Sequence, residues 1–134
     1  MPVVKTVLKK VRQQAIIKIV GNSFAGTSDG SANITPLDLK LTDETVDQQN
    51  IQMNITGMMW SAPDTLPIII ARNNSTVMIL NGNDNWSTSQ MFGFADTSNN
   101  NANITVTMPA NSTIYLHLSK TAGFIEPDQQ ILPR

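Results

Sequence analysis

The residue types that most often carry acid–base catalysis are sparse in this chain. Its single histidine, His117, lies two residues after Tyr115 in the alternating segment TIYLHLS, on the polar side of a predicted strand. A catalytic histidine needs a nucleophile or an acid beside it, and neither a cysteine nor a G-x-S-x-G elbow accompanies this one. We therefore interpret His117 as a surface or cross-strand residue and predict no catalytic site and no enzyme.

Carboxylates cluster in the segment TDETVDQQ, which contains Asp43, Glu44 and Asp47. A hard cation such as Ca²⁺ prefers six or more oxygen ligands, and the spacing of an EF-hand loop, with its glycine and distal glutamate, is absent. Asp29 and Asp84 occur in TSDGS and NGNDN, which are typical turn sequences. The sequence therefore predicts neither a metal site nor a cofactor.

Apolar and aromatic side chains are concentrated in WSTSQMFGF, which includes Trp86 and Phe92. Such a cluster forms an apolar patch suited to subunit assembly, so Trp86 and Phe92 are predicted to bind a partner. Asp84 and Asn85 precede the tryptophan, and an aromatic ring beside Asp and Asn is also typical of lectin-type sites. A carbohydrate-binding module therefore stays open as an alternative function.

Positive charge is concentrated at the N-terminus, although the whole chain has a formal net charge of −1. The first 28 residues carry +5 and no acid, whereas the other 106 hold four basic and ten acidic groups. A basic segment can neutralise nucleic-acid phosphates. However, residues 2–12 contain no aromatic side chain on which bases could stack, and the pI is about 5.6. A nucleic-acid partner is therefore disfavoured.

The same N-terminal segment is rich in valine and leucine, which a solvated tail would leave exposed. If the segment adds as a strand to the edge of a neighbouring sheet, these side chains can pack against that sheet. The cations of the segment favour an acidic protein surface as the neighbour. Whether the segment pairs with a partner or with its own sheet stays open. The residues predicted to bind a partner here are Val4, Lys5, Val7, Leu8, Lys9, Lys10 and Arg12.

Short runs of alternating apolar residues occur along most of the chain and predict β-strands. The segment AIIKIV adds a β-branched run, so we expect a strand at 14–20. Gly57 is expected to mark a bulge or bend. GNSFAGTSDGSAN is expected to be a loop, and NGND a hairpin turn. The inward-facing residues are predicted in four sets: Leu37, Leu39 and Leu41; Ile51, Met53 and Ile55; Ile104, Val106 and Met108; Ile114, Leu116 and Leu118.

At 134 residues the chain is expected to be one all-β domain, an antiparallel β-sandwich or small barrel of about seven to nine short strands. We divide it into a basic extended N-terminal arm (1–13), the sandwich (14–121) and a C-terminal tail (122–134). The absence of cysteine excludes disulfides and fits a reducing cytoplasm. No apolar run of 18 residues and no secretory pattern is found, so no membrane association is predicted.

Four segments resemble small virion structural proteins of tailed bacteriophages, many of them marine. They are VVKTVLKKVRQQAIIKIVG, IQMNITGMMWSA, IIIARNNSTVMILNG and ANITVTMPANSTIYLHLSKTAGF, which together cover most of the chain. The resemblance implies a non-enzymatic virion protein made in the bacterial cytoplasm. Its first implied role is capsid decoration, as a cement protein that binds the outer shell and bridges capsomers. The implied partners are the major capsid protein or other virion subunits, with a homo-oligomer on the particle. A neck or head–tail joining protein is the alternative, followed by a tail or fibre-attachment subunit.

Overall fold

The computed structural model describes residues 3–21, 28–47, 49–63, 66–87 and 101–125. These residues form eleven β-strands and one short helix, and nine of the strands have five residues or more. The elements are β1 (Val3–Lys10), β2 (Gln14–Gly21), β3 (Ser28–Ile34), α1 (Pro36–Leu39), β4 (Thr45–Val46), β5 (Gln52–Ser61), β6 (Ile68–Arg72), β7 (Ser75–Leu80), β8 (Asn83–Ser87), β9 (Ile104–Pro109), β10 (Ser112–Ala122) and β11 (Phe124–Ile125).

The strands form two main sheets that share one hydrophobic core. One sheet has five strands in the order β1-β2-β10-β5-β8, the other has four in the order β3-β9-β6-β7, and β4 pairs separately with β11. Every pairing is antiparallel. The prediction of an all-β antiparallel fold is confirmed, in its sandwich form.

The order of pairing follows a nested pattern. β6 pairs with β7, β5 with β8, β3 with β9 and β2 with β10, so the chain resembles one long hairpin rolled into two layers. Two four-stranded sheets connected in this way are a jelly roll, a double Greek key. β1 extends one of these sheets to five strands by pairing with the free edge of β2.

The core is filled by the alternating residues of both sheets. Side chains at every second position of β2, β9 and β10 are buried, as period two requires when one face of a sheet is covered, and β5 alternates in the same way up to Gly57. Three of the four predicted inward sets are buried. They are Ile51, Met53 and Ile55; Ile104, Val106 and Met108; and Ile114, Leu116 and Leu118.

The predicted irregularity at Gly57 is also present. His117 pairs with Gly57, but the next residue of β10, Leu118, pairs with Ile55. Thr56 is therefore the extra residue of a β-bulge, which bends β5 beside the glycine.

The strand expected at PLDLKL is wrong, because this segment forms the single turn of α1. Pro36 occupies the first turn, where its fixed φ suits a helix. Asp38 Oδ2 accepts a hydrogen bond from the Thr35 backbone N–H at 2.9 Å. The result is that Leu39 is buried while Leu37 is 63% exposed, so the three leucines do not share one face.

Two turn predictions are corrected by strand pairing. The C-terminal part of the expected loop, from Ser28 onward, is β3, since β9 supplies hydrogen-bond partners that override its weak strand propensity. Residues 22–27 lie outside the described residues. NGND does not close a hairpin, because β7 pairs with β6 in one sheet and β8 pairs with β5 in the other. The turn instead crosses between the layers.

The N-terminal segment is extended, but it lies within the sandwich. β1 folds back on β2 through a tight turn, in which the Val11 N–H donates to Gln14 O at 2.9 Å. At the other end, Ala122 ends β10 and the chain bends at Gly123, which has φ +89°. A Cβ there would lie 2.5 Å from Ile51 Cα, so the bend requires glycine. Residues 126–134 of the predicted tail lie outside the described residues. The described part of the chain includes no helix with the length and hydropathy needed to cross a membrane.

Candidate interaction surface

The structure places the two groups of predicted partner-binding residues at opposite edges of the five-stranded sheet. The N-terminal group lies on β1 and the turn after it, and Trp86 lies on β8, where it pairs with Met58. Phe92 is outside the described residues. Three strands separate β1 from β8, which corresponds to about 19 Å at the usual interstrand spacing. The two groups therefore do not form one patch.

Two of the N-terminal cations are engaged within the chain. Lys5 Nζ lies 2.7 Å from Asp38 Oδ2 and also donates to Asn33 O at 2.7 Å, which connects β1 to β3 and α1. Arg12 donates to both carboxylate oxygens of Asp43, at 2.9 and 2.6 Å. Part of the N-terminal positive charge therefore neutralises acids in residues 38–43 of the same chain.

The Arg12–Asp43 pair is bidentate and exposed to solvent. The hydrogen bonds from the Arg12 guanidinium hold the pKa of the Asp43 carboxyl below its ordinary value. Both side chains stay partly in water, so the pair orients the turn after β1 more than it stabilises the fold.

A buried ion pair lies directly beneath this turn. Lys120 Nζ is 2.6 Å from Glu44 Oε1 and donates to Val11 O at 2.9 Å, and both charged side chains are fully buried. Glu44 Oε1 also accepts the Leu41 N–H at 2.8 Å, and Glu44 Oε2 lies 3.7 Å from an Arg12 nitrogen. Of the predicted carboxylate cluster, Asp43 and Glu44 form ion pairs, whereas Asp47 accepts hydrogen bonds from Gln49 and Asn50. Among the described residues, no group of three or more His, Asp or Glu is arranged to hold a metal ion.

The outer edge of β1 combines apolar and cationic side chains. Val3 and Val7 pack against the core, whereas Val4 and Leu8 are 43% and 50% exposed. Lys9 and Lys10 are exposed at the end of the strand. No described strand pairs with this side of β1. We call Val4, Leu8, Lys9 and Lys10 the N-terminal edge.

The outward side of the five-stranded sheet, which we call the outer face, carries a feature that the sequence did not suggest. A shallow groove of about 430 Å³ crosses it, bordered by Ile16, Met59, Tyr115 and His117. Its floor includes Gly57, which pairs with His117 and has no side chain to fill the space between the neighbouring strands. In the sequence, Gly57 was the residue that could have indicated this groove, since a glycine inside a strand leaves room for another group.

His117 is a cross-strand residue, as interpreted from its position. Its Nε2 lies 2.6 Å from Gln14 Oε1 on β2, and its Nδ1 lies 3.1 Å from Thr56 Oγ1 on β5. Both ring nitrogens therefore have partners on the flanking strands. On the same face, Lys18 Nζ lies 5.9 Å from the centre of the Tyr115 ring.

No protein-family model matches this chain, and no curated protein matches it. The described residues present two exposed surfaces that could bind a partner: the N-terminal edge on β1, and the outer face with its groove.

Proposed function

We propose that this protein is a non-enzymatic structural component of a tailed-bacteriophage virion. Its first proposed role is capsid decoration: as a homo-oligomer, it binds the major capsid protein and stabilises the shell. A neck or head–tail joining role is the alternative. The proposal starts from the resemblance of four sequence segments to small virion proteins. The observation that carries it is the N-terminal edge.

The N-terminal edge is suited to strand addition by a neighbouring subunit. Its outer hydrogen-bonding side is unpaired among the described strands, so its backbone groups are open to another chain. Val4 and Leu8 would lose exposed apolar surface on contact, and Lys9 and Lys10 favour an acidic neighbour. The lysines and the register shift between Val7 and Lys9 also limit indiscriminate pairing, which a protein present in many copies must avoid.

The sandwich architecture is compatible with this role. Jelly rolls occur in viral capsid proteins, but also in lectins and cupins, so the fold alone does not select a function. The nested pairing gives this small domain a rigid body with only a few open strand edges. Many weak contacts of this kind, repeated over a shell, add up to firm attachment through multivalency.

The first test is the copy number of this protein relative to the major capsid protein in purified particles. We expect hundreds of copies, as decoration of a shell requires. A dozen copies or fewer would move the protein to a ring at the neck or tail. Absence from purified particles would overturn the virion role altogether.

The second test changes the N-terminal edge without removing β1. Deleting residues 2–12 would remove core contacts of Val3 and Val7 together with the Lys5–Asp38 ion pair, so loss of incorporation would not separate folding from binding. The double variant V4E/L8E changes only exposed side chains. We expect it to fold normally and to lose incorporation by at least about tenfold, as truncated interface anchors do.

The control for this variant is the double variant T76E/I79E. Thr76 and Ile79 are exposed on β7, in the four-stranded sheet. It should incorporate like the unmodified protein. Normal incorporation of V4E/L8E would show that the N-terminal edge is not the attachment surface.

A further inference from the structure

We propose that the outer face is a second docking surface, which binds an acidic, extended segment of a neighbouring protein and takes one of its apolar side chains into the groove. This inference rests on the proposed function and names the chemistry of the partner. In this arrangement the groove holds an apolar side chain of the neighbour, and the lysines beside the groove face the neighbour's carboxylates.

Charge on the outer face has one sign. Residues that pair across β1, β2, β10, β5 and β8 share a face, so the register identifies the outward positions. Of the described residues at these positions, Lys18 and Lys9, which also belongs to the adjoining N-terminal edge, are cationic, and none is an aspartate or glutamate. A face of this kind attracts carboxylates, although the chain as a whole has a net charge of −1.

The groove supplies the apolar contact. Met59 is 56% exposed and pairs with Tyr115, so the two side chains form one wall above the gap left by Gly57. Ile16 borders the groove on the β2 side. An apolar side chain placed here would cover apolar surface that is otherwise in contact with water, which favours the contact.

Hydrogen bonding disfavours a sugar in the same groove. Carbohydrate sites combine an aromatic platform with polar groups that are free to bond hydroxyls. Here both nitrogens of His117 already have partners in Gln14 and Thr56. The lining that remains is mostly apolar, and it fits a protein side chain better than a sugar ring.

The test is decoration in trans. Purified full-length protein is added to particles assembled without it, and the bound fraction is measured as a function of concentration. The variant Met59→Ser removes an apolar border of the groove without adding charge, and Lys18→Glu reverses the charge beside Tyr115, which also borders the groove. We expect each to weaken binding by about tenfold or more, the effect of losing a central anchor or reversing a facing charge.

Matched controls lie on the other sheet. Ile79 on β7 is 60% exposed, so Ile79→Ser repeats the loss of an exposed apolar side chain in the other sheet. The double variant T76E/I79E reproduces the net charge change of Lys18→Glu, and Thr76 is also exposed. Both controls should bind within about twofold of the unmodified protein, because exposed sites outside an interface contribute little.

The outcomes separate this inference from the proposed function. If the unmodified protein decorates particles and both Met59→Ser and Lys18→Glu bind equally well, the docking surface is wrong and the virion role stands. If the unmodified protein does not bind particles, the virion role fails and this inference with it. If Met59→Ser changes the oligomeric state of the free protein, the face is a contact between copies. If the free protein is retained on immobilised DNA or glycan, and Lys18→Glu abolishes that retention, then the outer face binds that ligand and not an acidic protein segment.

Discussion

Lys18 and Lys120 lie on neighbouring strands of the same sheet and face opposite ways. Lys18 on β2 pairs with Tyr115 and extends over the ring on the outer face. Lys120 on β10 pairs with Met53, points inward and is fully buried against Glu44. The same residue type therefore serves two purposes, which the pleat of one sheet separates.

The two lysines differ in what the protein would lose if each were substituted. A buried charge must be paired, since removing one partner leaves the other without solvation. An exposed charge is hydrated in any case, so its loss changes binding to other molecules more than it changes folding. Inward cations are predicted to control stability, and outward cations to control association.

The largest expected effect is that of Lys120→Met. The substitution leaves Glu44 buried without its ammonium partner and removes the hydrogen bond to Val11 O. We expect the free energy of unfolding to fall by about 3–5 kcal/mol, measured by urea denaturation. The matched control is Lys18→Met, which should stay within about 0.5 kcal/mol of the unmodified protein. Equal effects of the two substitutions would contradict the comparison.

A second substitution sharpens this result. In the double variant K120M/E44L the buried carboxylate is removed as well, and apolar side chains of similar size fill the space. Most of the lost stability should return, because the uncompensated charge is the main cost. If the double variant is as unstable as Lys120→Met alone, the contact with the turn after β1 matters more than the charge.

The next largest effect concerns another inward cation, Arg72, which is 1% exposed. It lies on β6 in the four-stranded sheet and donates to Met53 O of the five-stranded sheet at 2.6 Å, and to Ala102 O at 2.6 Å. Arg72→Met leaves these buried carbonyls without the guanidinium and should cost about 3 kcal/mol in thermal or urea unfolding. A loss below about 1 kcal/mol would indicate that other groups replace it.

A smaller, pH-dependent effect is expected at the exposed Arg12–Asp43 pair. Arg12 lowers the pKa of Asp43 in the folded chain below the reference value of 3.8, so the carboxylate favours folding above that pH. This contribution should be lost as the pH falls through the lowered pKa. Unfolding curves of the unmodified protein and Asp43→Asn should therefore differ near neutral pH and converge in acid. A difference that persists at the lowest pH would exclude this cause.

The smallest effect on stability is predicted for Lys18→Glu, because Lys18 is only half-buried and its ammonium lies over the Tyr115 ring on the outer face. Unfolding should change by less than about 0.5 kcal/mol. Crossing it with Met59→Ser gives a cycle: if both act at one docking surface, their effects on particle binding should be less than additive. Fully additive losses would place the two residues in separate contacts.

Most of the inward alternation could be predicted because period two is a local property of the chain. The sets at Ile51–Ile55, Ile104–Met108 and Ile114–Leu118 are buried as expected, and the irregularity at Gly57 was predictable from a single glycine. PLDLKL shows the limit of this reasoning. Alternating leucines predicted a strand, but Pro36 and Asp38 favour a helical turn, and local capping outweighed the pattern.

The candidate surfaces could be predicted only in part. The excess of cations in the first residues was visible, but not that Asp38 and Asp43 neutralise Lys5 and Arg12. The groove was not predicted, because its borders come from β2, β5 and β10, which are brought together only by the nested pairing.

Side-chain types and their order along the chain were enough to predict the all-β class, the inward alternation of the main strands and the concentration of basic residues at the N-terminus. These follow from side-chain type and spacing along one strand. The tertiary structure alone decided that β1 pairs with its own β2, that the turn after β7 crosses between sheets, and which lysines face water. Strand order is a long-range choice, since each edge can accept several partners and only the packing of the whole sandwich selects one.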